Sequence, residues 1–156
     1  MPRDYWLLKS EPETFSFEHL LRAPRKTAGW DGVRNFQARN FLRDSMKVGD
    51  GILFYHSNAE PPGVAGEAVV CRAGHVDPTQ FDPKDHHFDP KSKPSAPLWY
   101  QVEIKAVAKF KRFVSLPELR EQAALAEMML LRKGSRLSVQ PVTEREFLAV
   151  LALGRG

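Results

Sequence analysis

From Tyr100 to Lys111 the chain alternates. Tyr100, Val102, Ile104, Ala106, Ala108 and Phe110 fall on one side, and Gln101, Glu103, Lys105, Val107, Lys109 and Lys111 on the other. A period of two held over this stretch conflicts with the 3.6-residue period of a helix, so it dictates a long strand with one core face and one mostly charged solvent face. A strand that long needs backbone partners on its edges. The rest of the chain must therefore supply a sheet.

Several segments can do so. Tyr5-Trp6-Leu7-Leu8-Lys9 is short, aromatic and apolar and stops at Ser10-Glu11-Pro12, which reads as a central first strand. The turn Val48-Gly49-Asp50-Gly51 leads into ILFYHS, a second strand that ends at Asn58 and Pro61-Pro62. Gly63 to Cys71 forms a third, its early glycines marking a bulge or a close backbone approach, with Cys71 read as an inert core thiol. Arg136 to Val142 closes the set, and Pro141 assigns it to an edge or an end.

Helices are expected from Ser16 through Leu21, from Val33 to Met46, from the capping pair Ser115 and Glu118 to about Gln122, and after the second such pair, Thr143 and Glu146. Residues 75–97 are proline-rich and carry the polar string DPKDHHFDPKSKP, so they are read as short pieces anchored by Phe81 and Phe88. Strands interrupted by short helices predict an α+β fold in which a curved mixed or antiparallel sheet closes into a small barrel, with helices packed against it. A chain of 156 residues is expected to form one domain over its whole length, 1–156.

Charge narrows the possible partners. The net charge is only +4, and the first 77 residues carry 10 basic and 10 acidic side chains. The excess therefore lies wholly in the second part, a distribution that permits a nucleic-acid partner without demanding one. The single cysteine excludes an internal disulfide and fits a reducing compartment. With no secretory leader and no long apolar run, the reading is a cytoplasmic monomer that does not enter a membrane.

Common catalytic patterns are absent: there is no HExxH, GxSxG, paired-cysteine, Rossmann or Walker motif. His86-His87, with Asp82, Asp85 and Asp89 nearby, is read as a solvated loop rather than a metal centre, and no metal or cofactor is expected. His56 and Ser57 are neighbours on a strand and face opposite ways, which argues against a serine nucleophile and its base.

Three polar and aromatic clusters can converge on a pocket instead: Lys9-Ser10, Trp30 through Asn35, and Tyr55 through Asn58. Aromatic faces together with hydroxyl and amide edges suit a planar heterocycle. Trp30 reads either as a pocket wall or as a loop-to-core anchor, Asn35 and Asn58 either as site groups or as caps and turn residues, and Trp6 as core packing. Arg34, Arg39 and Arg43, and on the long strand Lys105, Lys109 and Lys111, are candidate phosphate contacts or simply solubilising charges.

WLLKSEP at 6–12, WDGVRNFQARNFLR at 30–43, MKVGDGILFYHSN at 46–58 and RLSVQPV at 136–142 together resemble the EVE domain family. That family is similar to PUA-like folds, small curved barrels with flanking helices. The resemblance implies a non-catalytic module that binds nucleic acid carrying a modified base, 5-methylcytosine or a related cytosine first and N6-methyladenine second, in DNA ahead of RNA. It implies a base pocket from Lys9, Ser10, Trp30, Val33, Asn35, His56, Ser57 and Asn58, with Lys9 or Arg34 on the phosphate side. The alternatives are an enzyme acting on RNA or a nucleotide, using His56, Asp31 or Glu67 as acid or base, and a protein- or small-ligand-binding module.

Overall fold

The computed structural model describes residues 3–134 and 136–155. Six strands, β1 (Tyr5–Ser10), β2 (Thr27–Gly29), β3 (Gly51–His56), β4 (Gly63–Val76), β5 (Tyr100–Ser115) and β6 (Val139–Val142), form one mixed sheet in the order β2-β5-β4-β3-β1-β6. The helices are short: α1 (Pro12–Phe15), α2 (Phe17–Arg22), α3 (Phe36–Asn40), α4 (Leu116–Arg120) and the longer α5 (Glu144–Gly154).

The parallel pair β1 and β3 lies in the interior of the sheet, between β4 and β6, and its apolar runs explain why. Trp6, Leu8, Ile52 and Phe54 face one core, whereas Leu7, Leu53 and Tyr55 face a second core on the opposite side of the sheet. Strands buried on both faces read as continuous apolar sequence rather than as alternation.

The long strand alternates, yet it too serves both cores: Val102, Ile104 and Ala106 pack in the first, Phe110 and Val114 in the second. A register shift reconciles the two facts. Ala68 pairs with Ala106 but Glu67 pairs with Ala108, so one extra residue in β5 reverses which side its even-numbered residues face. Against β3, Phe54 pairs with Gly66 and Tyr55 with Val64, so the extra residue Ala65 does the same for β4.

Several expectations are corrected. The sheet is not closed into a barrel, because β2 pairs only with β5 and β6 only with β1. Both edges are too short to meet: β2 has 3 residues, and β6 has 4 with Pro141 among them. The helix expected over 33–46 begins at Phe36 and passes at Phe41–Ser45 into a wider π turn. The helix after Ser115 ends at Arg120. Cys71 is exposed, since Val70 takes the inward position beside it.

The proline-rich region is held by polar groups instead of phenylalanines. Buried Gln80 donates to Asp77 O at 2.6 Å and Trp99 O at 2.8 Å, and its Oε1 accepts from the Ser92 hydroxyl and Trp99 N. Phe88 remains exposed. Fully satisfied buried polar groups can fix a loop that carries too little apolar surface to anchor itself.

Candidate nucleic-acid interface

A cavity of about 680 Å³ opens where the ends of β1 and β2 meet α1 and the proline-rich loop. Its apolar wall comes from Trp30, Phe15 and Val33, and its polar rim includes Ser10, Asp31, Arg34, Asp85, His86 and His87. This volume lies within the roughly 300–1,000 Å³ typical of small-ligand sites.

Trp30 answers to both of its readings. It is 8% exposed and packs edge-on against Phe54, with ring centroids 5.4 Å apart, so it belongs to the first core while its remaining surface walls the cavity. Phe15 meets it at 6.3 Å in a second edge contact. Ser10 donates its hydroxyl to Phe15 O at 2.6 Å, which ties the strand end to α1 and leaves the oxygen free to accept.

Asp31 lies at the mouth, solvent-accessible within a concave wall. Desolvation by that wall, then the nearby Asp77 carboxylate and more weakly Asp85, push its carboxyl above the ordinary range, opposed by His87 and Arg34. Gly32 follows with φ +77°, and a Cβ there would meet His87 Nε2 at 2.5 Å. Only glycine permits both that backbone geometry and that approach.

Arg34 organises the rim. It donates to Val33 O, Asp77 Oδ2 and Thr79 Oγ1, each at 3.1 Å, and to His87 O at 2.7 and 3.1 Å. All its donor directions are thereby engaged within the protein, which corrects its reading as a phosphate contact. Its partner Asp77 is fully buried and also accepts from Gly32 N at 2.9 Å and from Thr79 N and Oγ1 at 2.7 and 2.6 Å. Burial alone would raise the Asp77 carboxyl, but these bonds outweigh it and hold the group below the usual carboxylate range.

The other expected pocket residues separate. Asn35 caps α3, its Oδ1 accepting from Ala38 N at 3.0 Å. His56 accepts at Nε2 from Phe17 N at 3.1 Å, and burial lowers its pKa. Ser57 N donates to Ser10 O at 2.9 Å. Asn58 takes a left-handed turn conformation at φ 48° and donates to Glu11 at 2.9 Å. None of these four lines the cavity. Lys9 reaches its edge, half-buried, with its ammonium 5.9 Å from the Tyr55 ring and its pKa lowered by desolvation.

Among the remaining phosphate candidates, Arg43 pairs with Asp44 at 2.8 Å, Lys109 pairs with Glu18, and Arg39 donates to Leu98 O at 2.6 Å. Lys105 and Lys111 are exposed on β5 away from the cavity. Sequence reading missed Phe15, Asp85, His86, His87 and Ser138 as lining residues. Phe15 carried a weak signal as an aromatic beside a strand-ending proline, whereas loop residues 85–87 reach the cavity only through tertiary contacts. Ligand atoms of Asp85, His86 and His87 lie within 4.8 Å of one another, but the His87 carbonyl there is already bound to a cationic guanidinium, which disfavours a metal ion.

An α+β sheet with a mixed apolar and polar cavity at one end describes a small ligand-binding module. Residues 4–153 match the EVE domain, and the chain belongs to that family. It is 45% identical to thymocyte nuclear protein 1 of Danio rerio over 165 residues, spanning 95% of this chain and 71% of the relative. A crystallised Pseudomonas putida protein shares 48% identity and a TM-score of 0.91, covering 96% of this chain and 99% of its own. Human THYN1, solved in complex with DNA containing 5-methylcytosine, shares 43% identity and a TM-score of 0.92 over 98% of both chains.

These relatives overturn the cytoplasmic expectation, since the vertebrate ones are named as nuclear proteins. Cysteine usage could not have separated the two compartments, because both keep thiols reduced. Among the described residues no helix is long and apolar enough to cross a membrane.

Proposed function

We propose that this protein binds nucleic acid carrying a modified cytosine, 5-methylcytosine in DNA foremost, without catalysing a reaction on it. The observation that carries the reading is the cavity, which combines an apolar wall from Trp30, Phe15 and Val33 with the Asp31 carboxylate at its mouth. The likeness to human THYN1 over 98% of the chain solved with 5-methylcytosine DNA supports it.

A base taken out of its stack presents a flat apolar ring and a hydrogen-bonding edge. Phe15 and Trp30 supply the wall against that ring, and Asp31 accepts from the exocyclic amine that distinguishes cytosine from thymine. The Ser10 hydroxyl offers a second acceptor. Burying the 5-methyl group against Val33 and the aromatic wall contributes about 1 kcal/mol, roughly a fivefold preference over unmodified cytosine. Of the three acid–base candidates only Asp31 lines this space, where it reads the amine: His56 is bound to Phe17 N, and Glu67 lies on β4 opposite Ala108.

The test is titration of oligonucleotides differing at one position, which bears cytosine, 5-methylcytosine or thymine. Tightest binding to 5-methylcytosine is expected, with the preference reduced by Trp30→Phe, a change that preserves much of the core packing. Equal affinity for all three bases overturns the proposal.

A further inference from the structure

Of the cations expected to meet phosphate, Arg34, Arg43 and Lys109 are paired with carboxylates by the fold, whereas four cations gathered at one place are not. Lys9, Arg120, Arg132 and Lys133 line a second cavity of about 520 Å³ on the opposite side of β1, backed by Tyr55, Leu116, Leu130 and Leu131. No carboxylate lines it. Among the described residues none of these four cations forms an ion pair, although Glu118 nearby is taken by Arg112. Lys9 is half-buried, held only by its approach to the Tyr55 ring, and it also borders the cavity assigned to the base.

Like charges gathered around an apolar-backed hollow repel one another unless an anion occupies it, and Lys9, the half-buried member of the cluster, is also partly stripped of water. We propose that this second cavity binds a phosphate group of the nucleic-acid strand whose modified base enters the first cavity. The assignment rests on the function proposed above. Lys9, shared by the two cavities, sets the spacing: base on one side of β1, backbone on the other. The hollow accepts a tetrahedral oxyanion, with Arg120 and Arg132 offering planar donor pairs and Lys133 a point charge. Because every phosphate has the same chemistry, the site adds affinity and leaves the choice of base to the first cavity.

The experiment uses Arg120→Ala/Lys133→Ala, two exposed changes that do not touch the first cavity, with Lys9→Met as a second variant. Affinity for 5-methylcytosine and cytosine oligonucleotides is measured against NaCl concentration. The double variant is expected to bind both about tenfold more weakly, with the log–log salt slope reduced by roughly 0.7–0.9 for one lost phosphate contact and the methyl preference unchanged. An unaltered slope and affinity overturn the phosphate site, even if Trp30→Phe still erodes the methyl preference. A reduced slope with no methyl preference in any variant supports the phosphate site and defeats the base reading instead. Inorganic pyrophosphate separates the sources: competition with the oligonucleotide supports the backbone, whereas saturable binding without competition overturns that assignment in favour of a free phosphate ligand.

Discussion

Replacing Arg34 by Met retains most of its aliphatic volume and removes its charge and all its hydrogen bonds. Asp77 is then left as a buried carboxylate whose side chain is 0% exposed, while that of Arg34 is 23% exposed. Breaking a fully buried pair costs roughly 3–5 kcal/mol and an exposed one about 0–1 kcal/mol. Asp77 keeps its donors from Thr79 and Gly32, and water can enter along the open side of Arg34, so the expected loss is about 2–3 kcal/mol. Urea denaturation at pH 7, with an m-value of roughly 2 kcal/mol/M, converts this to a midpoint lowered by about 1 M. The pH dependence adds a second check. Asp77 has a depressed folded pKa, so its stabilisation is present above the unfolded value near 3.8 and is lost as pH falls through the lower folded value. The gap between wild type and Arg34→Met should therefore narrow in that acid window, where a protonated Asp77 no longer needs a cation. A midpoint shift under about 0.2 M at neutral pH, or a gap that does not narrow in acid, refutes the role given to this pair.

Asp31→Asn replaces an acceptor-only carboxylate by an amide that can donate to the thymine carbonyl, so the ratio of 5-methylcytosine to thymine binding should fall about tenfold in the same titrations. His56 must be neutral at Nε2 to accept from Phe17 N, and its folded pKa is lowered by burial. Its contribution is thus complete above the ordinary value of 6.5 and lost as pH falls through the depressed folded value, which a series of melting curves from pH 7.5 downward will show as a decline that His56→Gln flattens. At Gly66 an added Cβ would lie 2.6–2.8 Å from ring atoms of Phe17, itself buried in the first core. Gly66→Ala should cost about 1–3 kcal/mol, read by chemical denaturation.

The alternation at residues 100–111 and the apolar run of β1 were legible because they are patterns among sequence neighbours, and so were the capping pairs Ser115–Glu118 and Thr143–Glu146. Trp30 and Ser10 could be nominated for the cavity because a glycine-flanked aromatic and a strand end both lie where the chain leaves the sheet. The same reasoning left Asn35 and Asn58 open between site groups and caps or turn residues, and the structure shows the second role, one as a helix cap and one in a left-handed turn.

What the sequence by itself determined is five of the six strands, their order and the family, all carried by local periodicity and by contiguous blocks of residues, whereas the three-residue β2 is defined only by its pairing with β5. Tertiary structure alone decided three further matters. Register shifts turned one alternating strand toward two cores, and edges too short to pair left the sheet open. Buried Asp77 and Gln80 drew residues 85–87 to the cavity mouth. Which basic side chains remained unpaired was settled by whether a carboxylate came within reach: Lys109 met Glu18, while Lys9 and Arg120 met none among the described residues. Electrostatic neutralisation depends on separations of a few ångströms between residues far apart in the chain, and those distances exist only once the sheet has formed.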